Sequence, residues 1–362
     1  MSVTCQPERA ISAEPSQNAV EVSIGGTWLL WAIRNVHYAA TLILTLALPS
    51  SLLAAHLPFH FAWREYFVNF WIVFAFRSIV GAAMLFILGC PEQFRSWLNA
   101  PRSSAPLRFQ LRHAAKRVGS VIVPAAYLFI GLVVAFSYND VIACLRFNGS
   151  ADFLLNRADA RIMGGMTISS LAHLAAAHVP PQTFDVMTWI YFLLFPALGS
   201  CLVFLALQRG VKQAWQFVGA LLTSYYVVLG CFYILPAVGP FVICSDHFSV
   251  FSRSLKMYAG QYDYLNVLRG YAEGQRPHLV GAHYFAAFPC MHLVQPLIAL
   301  AFLRPWRRIA ATFLAFNVIL VPCILLLEQH YLVDLMGAVP LAILAVAMVG
   351  ASGRVALLRI NR

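Results

Sequence analysis

Charge is what this sequence has least of. Only 11% of its 362 residues are Asp, Glu, Lys or Arg, and just 14 of them are acidic, whereas a soluble domain carries about 25% charged residues. Sixty per cent are apolar and 14% aromatic, with a mean hydropathy of +0.73. So little polar surface cannot cover a globule in water, which excludes a soluble enzyme, a disordered chain and a nucleic-acid module. A basic-then-apolar leader is also missing: the first 25 residues carry Glu8, Glu14 and Glu21. Residues 1–26 therefore read as a disordered cytoplasmic tail, and no cleavage is expected. The eight cysteines include no CxxC pair, and no repeat of fixed period occurs.

What the sequence does have is long apolar runs. A helix needs about 20 mainly apolar residues to span a bilayer. Eight runs qualify: Tyr38–Leu57, Tyr66–Cys90, Gly119–Tyr138, Thr188–Leu207, Trp215–Leu235, Tyr284–Leu303, Ile309–Leu327 and Val333–Ala351. The expected fold is all-α, a polytopic transmembrane helical bundle of about eight spans. Threading the chain alternately through these runs puts sixteen of the 25 Lys and Arg on one side, including Arg95, Arg102, Arg108, Arg112, Lys116 and Arg117 in one loop and Arg304, Arg307 and Arg308 in another. Positive charge marks the cytoplasmic side, so both termini are cytoplasmic and segments 139–187 and 236–283 face the other compartment.

The chain then divides into the tail 1–26, N-terminal membrane helices with a basic cytoplasmic loop over 27–118, a membrane core over 119–353 and a basic cytoplasmic tail over 354–362. Trp28–His37, interrupted by Arg34, suits an interfacial helix. Ala160–Val179 suits a short helix resting on the outer membrane face or re-entering it, because a ninth span there would carry Arg304–Arg308 to the wrong side. Arg77 interrupts the second run and is expected to face the bundle interior, most simply in a pairing with a carboxylate. The cysteines read as small packing residues, with Cys144 and Cys244 both on the outer side and a disulfide between them left open.

Chemistry-bearing residues converge at the outer ends of the last spans. Phe288-Pro289-Cys290-Met291-His292 opens the sixth run and places His292 in a first helical turn. His330-Tyr331-Leu332-Val333-Asp334 opens the eighth, and its i, i+4 spacing puts imidazole and carboxylate on one helix face. A carboxylate that takes a hydrogen bond from one imidazole nitrogen fixes the tautomer and makes the other nitrogen a better nucleophile. The second histidine can protonate a leaving group. Both helix N-termini are expected to offer unpaired N–H groups to a phosphate between them. Arg269 and Arg276, seven positions apart in the segment leading to His292, are suited to clamp phosphate oxygens.

At these residues the sequence resembles the type 2 phosphatidic acid phosphatase superfamily of membrane lipid phosphatases and phosphotransferases, in particular its inositol phosphorylceramide synthase-like branch. The resemblance runs from about Trp215 to Gly353. Phe288–His292 is similar to the family's Phe-Pro-Ser-x-His signature, and His330–Gly337 resembles its His-Tyr-x-x-Asp element. Leu235–Pro240 is similar to the Pro-rich close of the preceding span in that branch, and Arg269–Pro277 has the spacing of the family's basic Lys-x6-Arg-Pro motif with Arg in place of Lys.

The resemblance implies a six-helix phosphatase-like core and a reaction without cofactor or metal. In it His330 attacks phosphorus to give a phosphohistidine, Asp334 orients it, His292 protonates the departing alkoxide, and Arg269, Arg276 and Cys290 contact phosphate oxygens. The implied partners are a membrane lipid phosphate and either water or a lipid or sugar hydroxyl as acceptor, within the bilayer and without nucleic acid; no protein partner is indicated. Two departures stand out. Cys290 replaces the usual Ser, and Glu328 lies where an Arg is usual nearby, so its carboxylate must be turned away, neutralised or paired, for instance with Arg276. A transporter of an anionic lipid and a catalytically degenerate family member are the alternatives.

Overall fold

The computed structural model of the protein describes residues 35–57, 73–91, 107–243, 263, 265–271, 273–275 and 286–350. Among them there are helices and no strands: α1 (Val36–Ala54), α2 (Val73–Gly89), α3 (Leu107–Arg146), α4 (Ser150–Ile162), α5 (Ile168–His178), α6 (Pro181–Arg209), α7 (Val211–Ile234), a 3-10 turn (Pro240–Val242), α8 (Met291–Leu303), α9 (Arg307–Leu326) and α10 (Leu332–Met348). Five are long and apolar enough to cross a membrane: α1, the Ala115–Arg146 part of α3, α6, α7 and α9. Three more, Ala75–Gly89, α8 and α10, are apolar but shorter. This is the architecture of a multi-pass membrane protein.

All eight apolar runs contain a helix, because an apolar backbone segment has no water to satisfy its N–H and C=O groups and must pair them internally. Helix α7 is the axis of the bundle and is covered by α3, α6, α8 and α10, while α2 lies along α6 and α1 along α3. Phe217, Val218, Leu222 and Phe232 of α7 are fully buried against Leu194, Phe204 and Leu205 of α6 and Val294 and Ile298 of α8. The peripheral helices turn large apolar side chains outward, such as Leu42, Ile43 and Leu46 on α1 and Val318 and Ile319 on α9, as lipid-facing surfaces require. A polar knot ties α1 inward: the Thr41 hydroxyl lies 2.6 Å from Tyr226 Oη and 3.1 Å from Tyr127 Oη, and His37 Nδ1 lies 3.2 Å from the same Tyr127 oxygen.

Two sequence expectations change here. Arg77 is exposed on α2 and pairs with no carboxylate among the described residues; the outward face of α2 carries it instead of the bundle interior. Ala160–Val179 is not one helix but parts of two, because Gly164 and Gly165 take left-handed backbone conformations and end α4. Thr167 then caps α5, its hydroxyl accepting the Ser170 N–H. The tail 1–26, most of Trp28–His37, and Cys244 lie outside the described residues, while the Cys144 thiol donates to the Ala55 carbonyl oxygen at 3.9 Å.

Candidate active site

The first turns of α8 and α10 meet at one end of the bundle, opposite the Arg304–Arg307 connection between α8 and α9. Cys290 is the N-cap of α8, and its N–H donates to the Asp334 carbonyl at 3.0 Å, joining the two helix starts. Gly337, one turn into α10, allows the approach: a β-carbon there would stand 3.0 Å from the Phe288 ring. This union places His292 and His330 side by side, with His292 Nδ1 3.1 Å from His330 Nε2.

His330 is buried and locked. Its Nδ1 lies 2.9 Å from the Ala287 carbonyl oxygen and 3.4 Å from Asp334 Oδ2, so that nitrogen carries a proton and Nε2 faces His292. Burial opposes a positive charge on His330, but Cys290 and the Asp334 carboxylate outweigh it and raise its pKa to about 10. His292 is only half-buried, stacked on the Tyr191 ring at 4.3 Å with the Tyr191 hydroxyl 3.2 Å from Nδ1. The structure therefore brings together His292, His330, Asp334 and Cys290.

It does not leave both helix ends open to an anion. The Leu332 and Val333 N–H groups of α10 donate to the two oxygens of Asp159 at 2.8 and 3.0 Å, and the Tyr331 N–H donates to Asp334 Oδ2 at 2.8 Å. The α10 N-terminus is already filled by carboxylates, which match its positive dipole end as a phosphate would. On α8, by contrast, the Met291 and His292 N–H groups have no acceptor among the described residues. The expected cradle is reduced to this one helix end.

Asp159 belongs to α4, which lies across the site as a cap. Asp152, Leu155 and Asp159 share its inward face at i, i+3, i+7. Asp152 Oδ1 accepts the N–H groups of Val238 and Gly239 at 2.9 and 2.8 Å and the Tyr331 hydroxyl at 3.1 Å. Gly239 has φ 146°, and a β-carbon on it would stand 2.8 Å from the Gln329 carbonyl oxygen, so this turn requires glycine. The Pro236–Pro240 segment serves as the anchor of the cap, and the Ala287 N–H donates to the Ala237 carbonyl at 2.9 Å to hold the His330 side as well. Neither Asp152, Asp159 nor Tyr191 was singled out by sequence reasoning. The readable signal was two acids at heptad spacing on the apolar-facing side of an otherwise polar helix.

Glu328, the unexpected acid, is turned toward α5. It adopts φ 54°, is buried, and places its carboxyl beside the Ser169 hydroxyl. Burial raises its pKa to about 7, and burial likewise raises Asp152 to about 7 against its hydrogen bonds. Both groups hold protons in the folded protein that the unfolded chain has released. The stability they contribute is complete below the ordinary carboxylate range and is lost as pH rises through about 7, by at most about 1.4 kcal/mol per pH unit for each group. The melting temperature of the detergent-solubilised protein should accordingly fall from about pH 5 to about pH 8. Glu328→Gln should flatten part of that slope in thermal scans across the same range.

Arg269 sits in the helical stretch 265–271, whose Leu265, Leu268 and Tyr271 pack into the core while Arg269 itself is exposed and without an ion pair among the described residues. Arg276 lies outside the described residues. The cation-binding possibility of the site resides in Cys290 Sγ and one nitrogen each of His292 and His330, which lie within 4.8 Å of one another.

The sequence pattern of the PAP2 superfamily matches residues 155–348, more than half of the chain. The matched region begins in α4, before Asp159, and ends with α10, so it takes in both histidines, Asp334 and most of the cap. Comparison with curated proteins and with solved structures finds no match to either. With the histidine pair, its carboxylate and the helices that carry them all inside the matched region, the chain belongs to the PAP2 superfamily.

Proposed function

We propose that this protein is an integral-membrane lipid phosphatase or phosphotransferase, working on phosphoester or diphosphate lipids at the non-cytoplasmic face through a phosphohistidine. The observation that carries this reading is the 3.1 Å pairing of His292 Nδ1 with His330 Nε2 while the other nitrogen of His330 is held by Ala287 and Asp334. A gap of that length cannot hold phosphorus, so the half-buried His292 swings aside as the phosphate enters and serves as the proton donor to the leaving group. His330, held on both acceptors, stays in place as the nucleophile.

In the first step His330 Nε2 forms a bond to phosphorus, the P–O bond to the leaving group breaks, and the departing alkoxide takes the proton from His292. In the second, His292 accepts a proton from water or from a lipid or sugar hydroxyl, that oxygen bonds to phosphorus, and the N–P bond breaks. Asp334 holds the Nδ1 proton and offsets the charge on the ring throughout. The N–H groups of Met291 and His292 at the α8 N-terminus, which have no acceptor among the described residues, offer contacts to phosphate oxygens, and we assign Arg269, Arg276 and Cys290 to the same task. The finer reading adds eight spans with both termini cytoplasmic, a six-helix core, and transfer to a lipid hydroxyl as in the inositol phosphorylceramide synthase-like branch.

The test is to incubate purified protein in detergent micelles with labelled lipid phosphates and diphosphates, with and without alcohol acceptors. Release of phosphate, or its appearance on the acceptor, together with an acid-labile, base-stable label on the protein is expected. Uptake of an anionic lipid into sealed vesicles with no phosphate release would instead favour transport.

A further inference from the structure

We infer that Cys290, His292 and His330 form a binding site for a soft divalent cation, Zn2+ being the best fit, and that the bound ion excludes a phosphoryl group from the same side chains. The binding half stands on the geometry alone; the exclusion half rests on the phosphotransfer proposed above. Thiolate and imidazole are the ligands Zn2+ favours, and three protein ligands leave its fourth position for water. The three donor atoms lie within 4.8 Å of one another. Two nitrogens on a tetrahedral Zn2+ stand about 3.3 Å apart, from Zn–N bonds of about 2.0–2.1 Å, and His292 Nδ1 and His330 Nε2 are already 3.1 Å apart.

The surroundings of the ligands point the same way. A metal-binding imidazole usually donates its second N–H to a carbonyl or carboxylate, which fixes the ring and raises its basicity. His330 does so to the Ala287 carbonyl at 2.9 Å, with Asp334 at 3.4 Å. Cys290 is fully buried and positioned by its own N–H on the Asp334 carbonyl, so its sulfur is held at the α8 start. His292, half-buried, gives the way in. A hydroxyl at position 290 would contact phosphate but bind Zn2+ poorly, whereas a thiolate is a strong ligand for it. Binding a metal would occupy His330 Nε2, the atom that must reach phosphorus, and turnover would stop until the ion left.

The experiment uses the full-length protein in detergent, stripped with a chelator and titrated with Co2+ as a spectroscopic substitute for Zn2+. One equivalent should produce the intense visible bands of tetrahedral cobalt and a sulfur-to-cobalt charge-transfer band, both erased by Zn2+. Cys290→Ser should lose the charge-transfer band and weaken binding at least about 10-fold, while Cys323→Ser, at a free cysteine on α9 outside the site, should leave the spectrum intact. No tetrahedral spectrum, or one unchanged in Cys290→Ser, overturns the site. Zn2+ should also inhibit turnover of a labelled lipid phosphate, with recovery on chelation. Cobalt binding in a protein that hydrolyses none of the lipids keeps the metal site and removes the phosphotransfer; turnover with no cobalt spectrum does the reverse.

Discussion

Replacing His330 with Asn is expected to lower lipid phosphate turnover by at least about 10⁴-fold and to abolish the phosphorylated protein, with yield and melting temperature close to those of the unaltered chain. The substitution separates two roles of one ring. His330 Nδ1 donates to the Ala287 carbonyl in a buried setting, and an Asn amide can supply a donor from nearly the same place. Nothing in Asn replaces Nε2, the atom that faces His292. A merely structural histidine would show the opposite pattern, with turnover per folded molecule preserved. Retained hydrolysis of several lipid phosphates by this variant would remove His330 as the nucleophile. The partner substitution His292→Ala should cost about 10²–10⁴-fold, and the loss should shrink for substrates whose leaving group needs no proton. A rate comparison between an alkyl phosphate and an aryl phosphate measures that difference.

The helices and half of the site could be read from the sequence because both depend on local spacing. Apolar runs of span length became helices, and the i, i+4 separation of His330 and Asp334 brought their side chains to 3.4 Å. What sequence could not supply is contact between segments far apart in the chain. Asp159 reaches the N–H groups of Leu332 and Val333 across 173 and 174 positions, and Asp152 reaches Tyr331 across 179. A helix start with open N–H groups looks like a phosphate cradle until the carboxylate that fills it is known. Glu328 is a similar case. Its place in the chain suggested repulsion of phosphate, while its left-handed backbone and burial beside Ser169 direct it to α5. Arg77 shows the converse: a charge within an apolar run argues for burial only if the helix face that carries it is covered, and that face of α2 is exposed.

Asp159→Ala is expected to lower both stability and turnover, although no atom of Asp159 reaches the reacting centre. Its two oxygens take the Leu332 and Val333 N–H groups at 2.8 and 3.0 Å, and hydrogen bonds to a charged group contribute about 1.5–3 kcal/mol each. Losing both should destabilise the protein by about 3–6 kcal/mol and loosen the turn between His330 and Asp334. The kcat of molecules that remain folded should then fall by about 10–100-fold with little change in KM, as expected for a residue that positions the nucleophile and does not bind substrate. Asp159→Asn, which keeps one acceptor and turns an N–H2 toward the other donor, should fall between. Inorganic phosphate inhibition discriminates further. If the filled α10 N-terminus lies outside the phosphate site, Asp159→Ala leaves the inhibition constant for phosphate unchanged. If that helix end was the phosphate cradle all along, removing the carboxylate frees two N–H groups and a positive dipole end, and phosphate binds the variant more tightly than the parent chain.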